Sequence, residues 1–184
     1  MILIFSAPSG SGKSTLVQHL LDTREDMELS ISATTRAPRG KEQDGKEYYF
    51  ISRERFEELI KQDAFVEYEQ VYQGTYYGTL RSEIDRIERA GHHVVFDIDV
   101  KGGINIKRMF GDKARAIFIA PPSLEILRER LTNRGTDSKE KIEERLAKAE
   151  TEMADAPMFD TILVNDDLSA TKQALDKEIA AFIH

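Results

Sequence analysis

The residues most able to do chemistry stand near the start of the chain, in a glycine-rich turn after an apolar run. The turn reads Ser6-Ala7-Pro8-Ser9-Gly10-Ser11-Gly12-Lys13-Ser14-Thr15 and follows Ile2–Phe5. A strand, turn and helix of this kind direct backbone N–H groups and the positive end of the helix toward a bound phosphate. In this pattern Lys13 would reach the β- and γ-phosphates of a nucleoside triphosphate, and the Ser14 hydroxyl would bind Mg²⁺. The alternative is an ordinary turn between a strand and a helix.

One position of the turn departs from the usual phosphate-binding pattern, which has glycine where this chain has Ala7. Pro8 restricts the residue before it to extended conformations with negative φ, where a Cβ is tolerated. Gly10 and Gly12, where the backbone must come close to phosphate, are both present. We therefore expect Ala7 to leave the turn intact.

Composition limits the classes of protein to consider. The 184 residues are 40% hydrophobic and 32% charged, with a formal net charge of -7. These values predict one globular domain and argue against broad binding to nucleic acid or to an anionic membrane. The absence of cysteine excludes disulfides and thiolate metal ligands. No apolar run approaches the ~18 residues that span a bilayer, and no basic leader precedes the first strand, so we expect a cytoplasmic protein.

Short apolar runs alternate with segments of helical composition. The runs predicted to be buried strands are Ile2–Phe5, Val94–Ile98, Ala114–Ala120 and Thr161–Val164. Helices are predicted at about 12–22, 79–90, 101–109, 123–133, 138–154 and 169–182. Ser123 and either Asp167 or Ser169 are candidate N-caps. The alternation is typical of an α/β fold with a parallel sheet flanked by helices.

Two segments interrupt this alternation. Between Thr34 and Gly78, short aromatic runs and turn residues predict a small antiparallel or mixed sheet with one helix at about 53–62. We expect an inserted flap at about 33–78. The polar run Thr132–Ser138 breaks a helical stretch, and we expect a lid at about 132–145. The core of this single domain would then comprise about 1–32, 79–131 and 146–184.

The flap contains a second candidate phosphate site. Arg36 and Arg39 stand three positions apart around a proline in an otherwise uncharged stretch. Two guanidinium groups suit a phosphate monoester, because each can donate two parallel hydrogen bonds. Tyr48 and Tyr77 could add hydroxyl donors without adding charge. The alternative is a pair of solvated surface arginines.

Several blocks of sequence together resemble the guanylate kinase family, whose members phosphorylate GMP with ATP. In chain order they are Ala7–Ser14, Ser32–Arg39, Asp44–Tyr48, Tyr76–Thr79, Asp97–Gly102, Ile119–Ser123 and Val164–Asp167. The resemblance implies a P-loop nucleoside monophosphate kinase fold and transfer from Mg²⁺-bound ATP to GMP, with dGMP a second expected acceptor. With the acidic composition considered above, we expect no nucleic acid or membrane partner, and no obligatory protein partner is evident from the sequence.

The resemblance also assigns the acceptor site. Guanine presents N1–H and N2–H₂ donors beside its O6 acceptor, so a carboxylate with hydroxyls distinguishes it from adenine. The family pattern makes Glu67 this carboxylate, with Ser32 and Thr79 as hydroxyl partners. The residues implied to bind the GMP phosphate are Arg36, Arg39, Tyr48 and Tyr77. One extra residue between Glu67 and Gly74 leaves Glu69 as an alternative guanine reader.

The resemblance places Asp97 and Asp99 at the active centre. Asp97 would support Lys13 and Mg²⁺ and face GMP, and Asp99 would lie near GMP. The two alternate along a strand, so they point to opposite faces unless the strand has ended. Asp99 could instead cap the helix that begins near Val100. Lys101 stands where the family usually has glutamine.

Cationic side chains are needed to neutralise the charge that gathers on the phosphates during transfer. The resemblance assigns this role to Arg130 and Arg145. Besides Ala7–Thr15, it assigns Arg134 and Asn165 to ATP; Arg134 could stack on adenine, and Asn165 could equally be a turn residue. No general base is assigned, because the GMP phosphate is already anionic and can attack in line.

Two rival functions differ in what they require. A ribose-bisphosphate phosphokinase is a P-loop relative whose acceptor, a sugar phosphate such as ribose 1,5-bisphosphate, needs neither Glu67 nor Thr79. A guanylate-kinase-like module of scaffold proteins binds phosphopeptides, but such modules lose the functional P-loop that this chain keeps. The sequence therefore predicts an ATP:GMP phosphotransferase.

Overall fold

The structure is a computed structural model that describes residues 1–72 and 74–183. The strands are β1 Ile2–Ser6, β2 Met27–Leu29, β3 Ala33–Thr34, β4 Tyr49–Phe50, β5 Phe65–Tyr72, β6 Thr75–Leu80, β7 His93–Asp97, β8 Ala114–Ala120 and β9 Thr161–Val164. The helices are α1 Lys13–Thr23, α2 Arg53–Lys61, α3 Arg81–Arg89, α4 Val100–Phe110, α5 Leu124–Arg134, α6 Lys139–Ala154 and α7 Leu168–Ile183. Short 3-10 turns, Gly111–Lys113 and Ala156–Met158, precede β8 and β9. The chain divides into two compact units, Met1–Glu25 with Val95–His184 and Asp26–Val94.

The sheet of the first unit has the strand order β7-β1-β8-β9. β1 pairs in parallel with β8, and β8 pairs in parallel with β9. Every residue of β1 is buried, as expected for a central strand between layers of helices. The predicted α/β fold with a parallel sheet is therefore confirmed.

The helices of the first unit begin and end within one residue of the prediction. Two of the proposed N-caps are present. Ser123 Oγ accepts the Ile126 N–H at 3.2 Å, and Asp167 Oδ1 accepts the Ala170 N–H at 2.7 Å. Asp167, not Ser169, is therefore the cap of α7.

One predicted boundary is wrong. The helix expected from residue 79 begins at Arg81, because Thr79 and Leu80 continue β6 and pair with Glu67 and Phe65 of β5. Pairing with a distant strand outweighed local helical composition here. The short strands β2 and β3 were not predicted, because a run of two or three residues carries no periodic signal.

The second unit contains a mixed sheet with the order β4-β3-β6-β5. β3 runs parallel to β4 and antiparallel to β6, and β5 runs antiparallel to β6. Phe56 of α2 fills its core, stacking on Phe65 and Tyr76 with ring centroids 4.3 and 5.0 Å apart. The predicted flap helix and aromatic strands are thus present. Within the described residues, no helix combines the length and apolar character needed to cross a membrane.

Candidate active site

The phosphate-binding turn predicted from the sequence connects β1 to α1. Gly10 and Gly12 have φ of +96° and +91°, a region that residues with a Cβ rarely adopt. The Ser11 N–H donates to the Pro8 carbonyl at 3.1 Å and closes the turn. The backbone therefore has the strand, tight turn and helix start that a phosphate cradle requires.

Ala7, the departure from the usual pattern, fits this turn. It is 8% exposed. In the described part of the chain, Asp63 is the only non-glycine residue with positive φ, so Ala7 keeps an ordinary backbone conformation. A Cβ at this position is accommodated, as the sequence predicted.

Asn165, directly after β9, braces the turn. Its side chain is buried, and Nδ2 donates to the Ser11 carbonyl at 2.8 Å. The backbone carbonyl of Asn165 accepts a hydrogen bond from Arg130 Nη2 at 2.8 Å. A Cβ at Gly12 would overlap the side-chain Nδ2 of Asn165. Glycine is therefore required at this position both because no space is available for a side chain and because φ is positive. Asn165 and Arg130 thus lie together beside the P-loop.

Lys13 begins α1 and forms an ion pair with Asp97, the last residue of β7. Burial lowers the pKa of Lys13 to about 8, while the charges of Asp99 and Glu152 act to raise it. Glu152 of α6 was not singled out in the sequence; burial raises the pKa of its carboxyl. The structure brings the predicted lysine and aspartate of the donor side together.

Asp99 is the N-cap of α4, where its Oδ1 accepts the Gly102 N–H at 3.0 Å. β7 has already ended at Asp97, so the two carboxylates are not constrained to opposite faces of a strand. The capping alternative is confirmed. Asp99 remains close enough to Lys13 to influence its pKa.

The predicted arginines of the lid region differ in their surroundings. Arg145 of α6 contacts the Ser9 hydroxyl of the P-loop and pairs with Asp137 at 3.2 Å. Arg134 is exposed at the C-terminal end of α5. Arg145 therefore lies at the P-loop, whereas Arg134 is directed to solvent.

The donor set around α1 fits a metal ion that arrives with its nucleotide. Ser14 and Thr15 are exposed in the first turn of the helix. No group of three His, Cys, Asp or Glu residues within the described ranges could hold a metal ion. Mg²⁺ in phosphoryl-transfer sites commonly takes few protein ligands and completes its shell with phosphate oxygens and water. A single hydroxyl from Ser14 is compatible with such binding.

In the second unit, Arg36 is the centre of the predicted acceptor phosphate site. Its guanidinium lies 4.9 Å from the centroid of the Tyr48 ring, and Nε donates to the Tyr77 hydroxyl at 3.0 Å. Nη1 and Nη2 donate to the two oxygens of Glu42 at 2.6 and 2.8 Å. The structure thus brings three of the four predicted phosphate ligands together.

Glu42 was not predicted, since nothing in its sequence context separates it from other charged loop residues. Its Oε2 also accepts the Arg39 N–H at 2.8 Å, while Arg39 itself is exposed. Hydrogen bonds from Arg36 and from this N–H lower the pKa of Glu42 to about 2. An incoming phosphate would therefore meet an arginine that already holds an anion.

Glu67 and Thr79, the predicted guanine readers, stand opposite each other on β5 and β6. The Thr79 hydroxyl donates to Glu67 Oε1 at 3.2 Å, and Thr79 is fully buried. Glu69 stands opposite Tyr77 and is exposed. The carboxylate and hydroxyl expected of a guanine site are in contact at Glu67.

Ser32, the third predicted guanine residue, precedes β3, and its carbonyl accepts the Tyr49 N–H at 2.9 Å. Close by is Glu83, a carboxylate only 3% exposed that the sequence analysis missed. Its one signal is helical spacing: it stands four residues before the buried Ile87 and shares that face of α3.

The chain is similar to known proteins along almost its full length. The model of the guanylate kinase family matches residues 1–182. A guanylate kinase of Porphyromonas gingivalis is 54% identical over 99% of this chain and 97% of the relative. One of Bacteroides thetaiotaomicron is 51% identical over 100% of this chain and 90% of the relative. The crystal structure of guanylate kinase from Anaplasma phagocytophilum matches with a TM-score of 0.73 and 30% identity, covering 98% of this chain and 85% of that one.

These matches extend along almost the whole chain, so they cover the donor residues of the first unit and the acceptor residues of the second. The resemblance predicted from separate sequence blocks is confirmed, and the relatives are enzymes by name. The chain belongs to the guanylate kinase family.

Proposed function

We propose that this protein transfers the γ-phosphoryl group of ATP to GMP, and to dGMP, by direct in-line attack of the acceptor phosphate. Family membership supports ATP-dependent phosphorylation of GMP. The main structural support for GMP as the acceptor comes from two residues of β6. Tyr77 and Thr79 are two residues apart and share one face of the strand; the first hydroxyl meets Arg36 and the second meets Glu67. Phosphate and guanine would bind along that face.

The guanine base would be selected by Glu67 with the hydroxyls of Ser32 and Thr79. Guanine offers the adjacent N1–H and N2–H₂ donors to the carboxylate, whereas adenine has an acceptor at N1 and no amino group at C2. AMP would leave the Glu67 carboxylate without hydrogen-bond donors. For sites of this type, such a mismatch lowers kcat/KM by up to about 10⁴ relative to the correct substrate. The Glu67–Thr79 contact supports Glu67 over Glu69 as the reader.

The GMP phosphate would be bound by Arg36, Arg39, Tyr48 and Tyr77. Tyr77 already orients the Arg36 guanidinium, but Glu42 accepts from both of its terminal nitrogens, so the phosphate would have to take over these donors from Glu42. Arg39, exposed on the same loop, would add a second charge.

ATP would be bound by the P-loop, Ala7–Thr15, with Lys13 at the β- and γ-phosphates and Arg134 and Asn165 near the base. Mg²⁺, held by Ser14 and the phosphates, would withdraw charge from the transferring group. Asp97 holds the Lys13 ammonium in place, and Arg130 and Arg145 would stabilise the charge that develops during transfer. We propose that closure of the lid (132–145) and the flap (33–78) over Mg²⁺-ATP and GMP excludes water, which would otherwise hydrolyse ATP.

The test follows the phosphoryl group. With γ-labelled ATP, Mg²⁺ and GMP, the label should appear in GDP. Lys13→Ala should abolish transfer while GMP affinity changes little, because Lys13 belongs to the donor side. Arg39→Ala should mainly raise the KM for GMP, about tenfold for a lost charged hydrogen bond. An equal loss of transfer and of GMP binding in both variants would contradict this division of roles.

A further inference from the structure

A buried carboxylate in the second unit has no part in the reaction described so far. Glu83 lies in the first turn of α3. Its Oε1 accepts the Ile31 N–H at 3.2 Å and Arg86 Nη2 at 2.7 Å. Its Oε2 accepts the Tyr49 hydroxyl at 2.9 Å and Arg86 Nε at 3.2 Å. Each oxygen therefore has two donors, and Arg86 supplies the compensating charge.

The partners of Glu83 other than Arg86 are Ile31 and Tyr49, and both contact Ser32. Ile31 directly precedes Ser32, and Tyr49 donates its N–H to the Ser32 carbonyl at 2.9 Å. Glu83 thus restrains Ser32 through the N–H of the preceding residue, Ile31, and through Tyr49, which binds the Ser32 carbonyl. Ala33, which follows, is fully buried in β3. The backbone of Ser32 has little freedom as a result.

Stability alone does not require a charge at position 83. The neighbouring buried residues of α3 are Ile84 and Ile87, and apolar residues in place of Glu83 and its side-chain partners together would pack beside them without the cost of burying a carboxylate. A carboxylate with four fixed donors instead sets the positions of those donors relative to α3. The role of the Glu83 side chain is therefore to fix the positions of its hydrogen-bond donors.

We propose that Glu83 is a positioning residue for GMP selection, which holds Ser32 where its hydroxyl can meet guanine. The inference rests on the proposed function and deepens it. Glu83 acts through Ile31, Tyr49 and Ser32, and the nucleotide itself does not contact it.

Glu83→Gln tests the proposal with little change in side-chain volume. The glutamine amide nitrogen is a hydrogen-bond donor and would face the Ile31 N–H or the Tyr49 hydroxyl, which are donors too. At least one of these two hydrogen bonds is therefore lost or reoriented. We expect the KM for GMP to rise about tenfold, with kcat and the KM for ATP within about twofold. Glu88→Gln, an exposed carboxylate on the same helix, is the matched control and should change none of these. A lower kcat with an unchanged KM for GMP would indicate a purely structural role and overturn the proposal.

A double-mutant cycle with Ser32→Ala separates action through Ser32 from action elsewhere. If Glu83 works through Ser32, Glu83→Gln should raise the KM for GMP less than about twofold in the Ser32→Ala background. Effects that multiply in full would overturn the proposal. If Glu83→Gln does not fold, Tyr49→Phe, which removes one donor to Glu83, takes its place in the same cycle and decides in the same way. A wild-type protein that does not phosphorylate GMP would refute the proposed function itself, a result distinct from either of these.

Discussion

Lys13 is held between opposing electrostatic effects. Removal from water lowers the pKa of its ammonium from 10.5 to about 8, and the charges of Asp99 and Glu152 only partly oppose this shift. Asp97 pairs directly with the ammonium. Lys13 is therefore protonated at neutral pH, but its pKa is only about one unit higher. The pH dependence of the rate on the alkaline side should report the loss of this proton.

We predict that kcat/KM for ATP falls as the pH rises through about 8. The pKa of Lys13 is lowered, so the cation that binds the phosphates is lost at a lower pH than for an ordinary lysine. With GMP saturating, this parameter reports ionisations of the enzyme–GMP complex before ATP binds. Initial rates at saturating GMP, from about pH 6.5 to about pH 9, give the profile. A constant value across that range would show that Lys13 does not titrate there.

The choice between Glu67 and Glu69 gives a matched pair of variants. Glu67→Gln removes the charge from the carboxylate that contacts Thr79, and should lower kcat/KM for GMP by about 10²-fold. Glu69→Gln alters an exposed carboxylate two residues further on and should stay within about twofold. Steady-state rates with varied GMP decide the matter. The opposite ranking would move the guanine reader to Glu69.

The turn between β1 and α1 is shaped by elements from distant parts of the chain. Asn165 braces it from the end of β9, and Ser6 Oγ donates to the Ile98 and Asp99 carbonyls at 3.0 and 3.1 Å. A Cβ at Gly103 of α4 would lie 2.5 Å from Ser6 Oγ, so glycine permits this close approach. The turn is therefore held in shape by the protein's own contacts, which lowers the cost of binding phosphate.

Gly12→Ala should disrupt this turn. The new Cβ would overlap the Asn165 amide and occupy a residue at φ +91°, so we expect kcat/KM for ATP to fall by at least ~10²-fold. Gly91→Ala is the control for backbone strain alone, since φ there is +81° with open space around the Cβ. That variant should lose about 1 kcal/mol of unfolding free energy and keep its activity. Similar kinetics for the two variants would mean that contact with Asn165 does not matter.

Elements with a strong local pattern were predictable from the sequence. The helices of the first unit carried apolar spacing and caps such as Ser123, and they were placed within one residue. Thr79 and Leu80 were misassigned because their strand pairing with β5 depends on residues more than ten positions away. Glu42 and Glu83 were missed for a similar reason: their roles come from donors that only folding brings to them.

The proposed donor and acceptor residues divide between the two units. The P-loop, its lysine and the arginines of α5 and α6 belong to the first unit, and the proposed GMP ligands belong to the second, apart from Asp97 and Asp99. The net charge of -7 is compatible with anionic substrates because a few local cationic side chains are enough to bind phosphate. Variants in the second unit should therefore change GMP kinetics more than ATP kinetics.

Family and acceptor were predictable from the sequence because several blocks occur in family order along the chain. What the sequence could not supply was how each side chain is held. Asp99 as a helix cap was one of two alternatives, and Asn165 as a brace of the P-loop was neither of the two considered. Such contacts join residues that are far apart in the chain.

The choice of acceptor distinguishes GMP phosphorylation from its alternatives. ATP-dependent ADP release should be measured with GMP, dGMP, AMP, UMP, CMP, dTMP and ribose 1,5-bisphosphate offered separately in the presence of Mg²⁺. The account predicts strong turnover with GMP and dGMP, with AMP lower by up to about 10⁴ in kcat/KM. Equal turnover with AMP and GMP would contradict the role of Glu67, and turnover with ribose 1,5-bisphosphate alone would contradict the assignment of the acceptor.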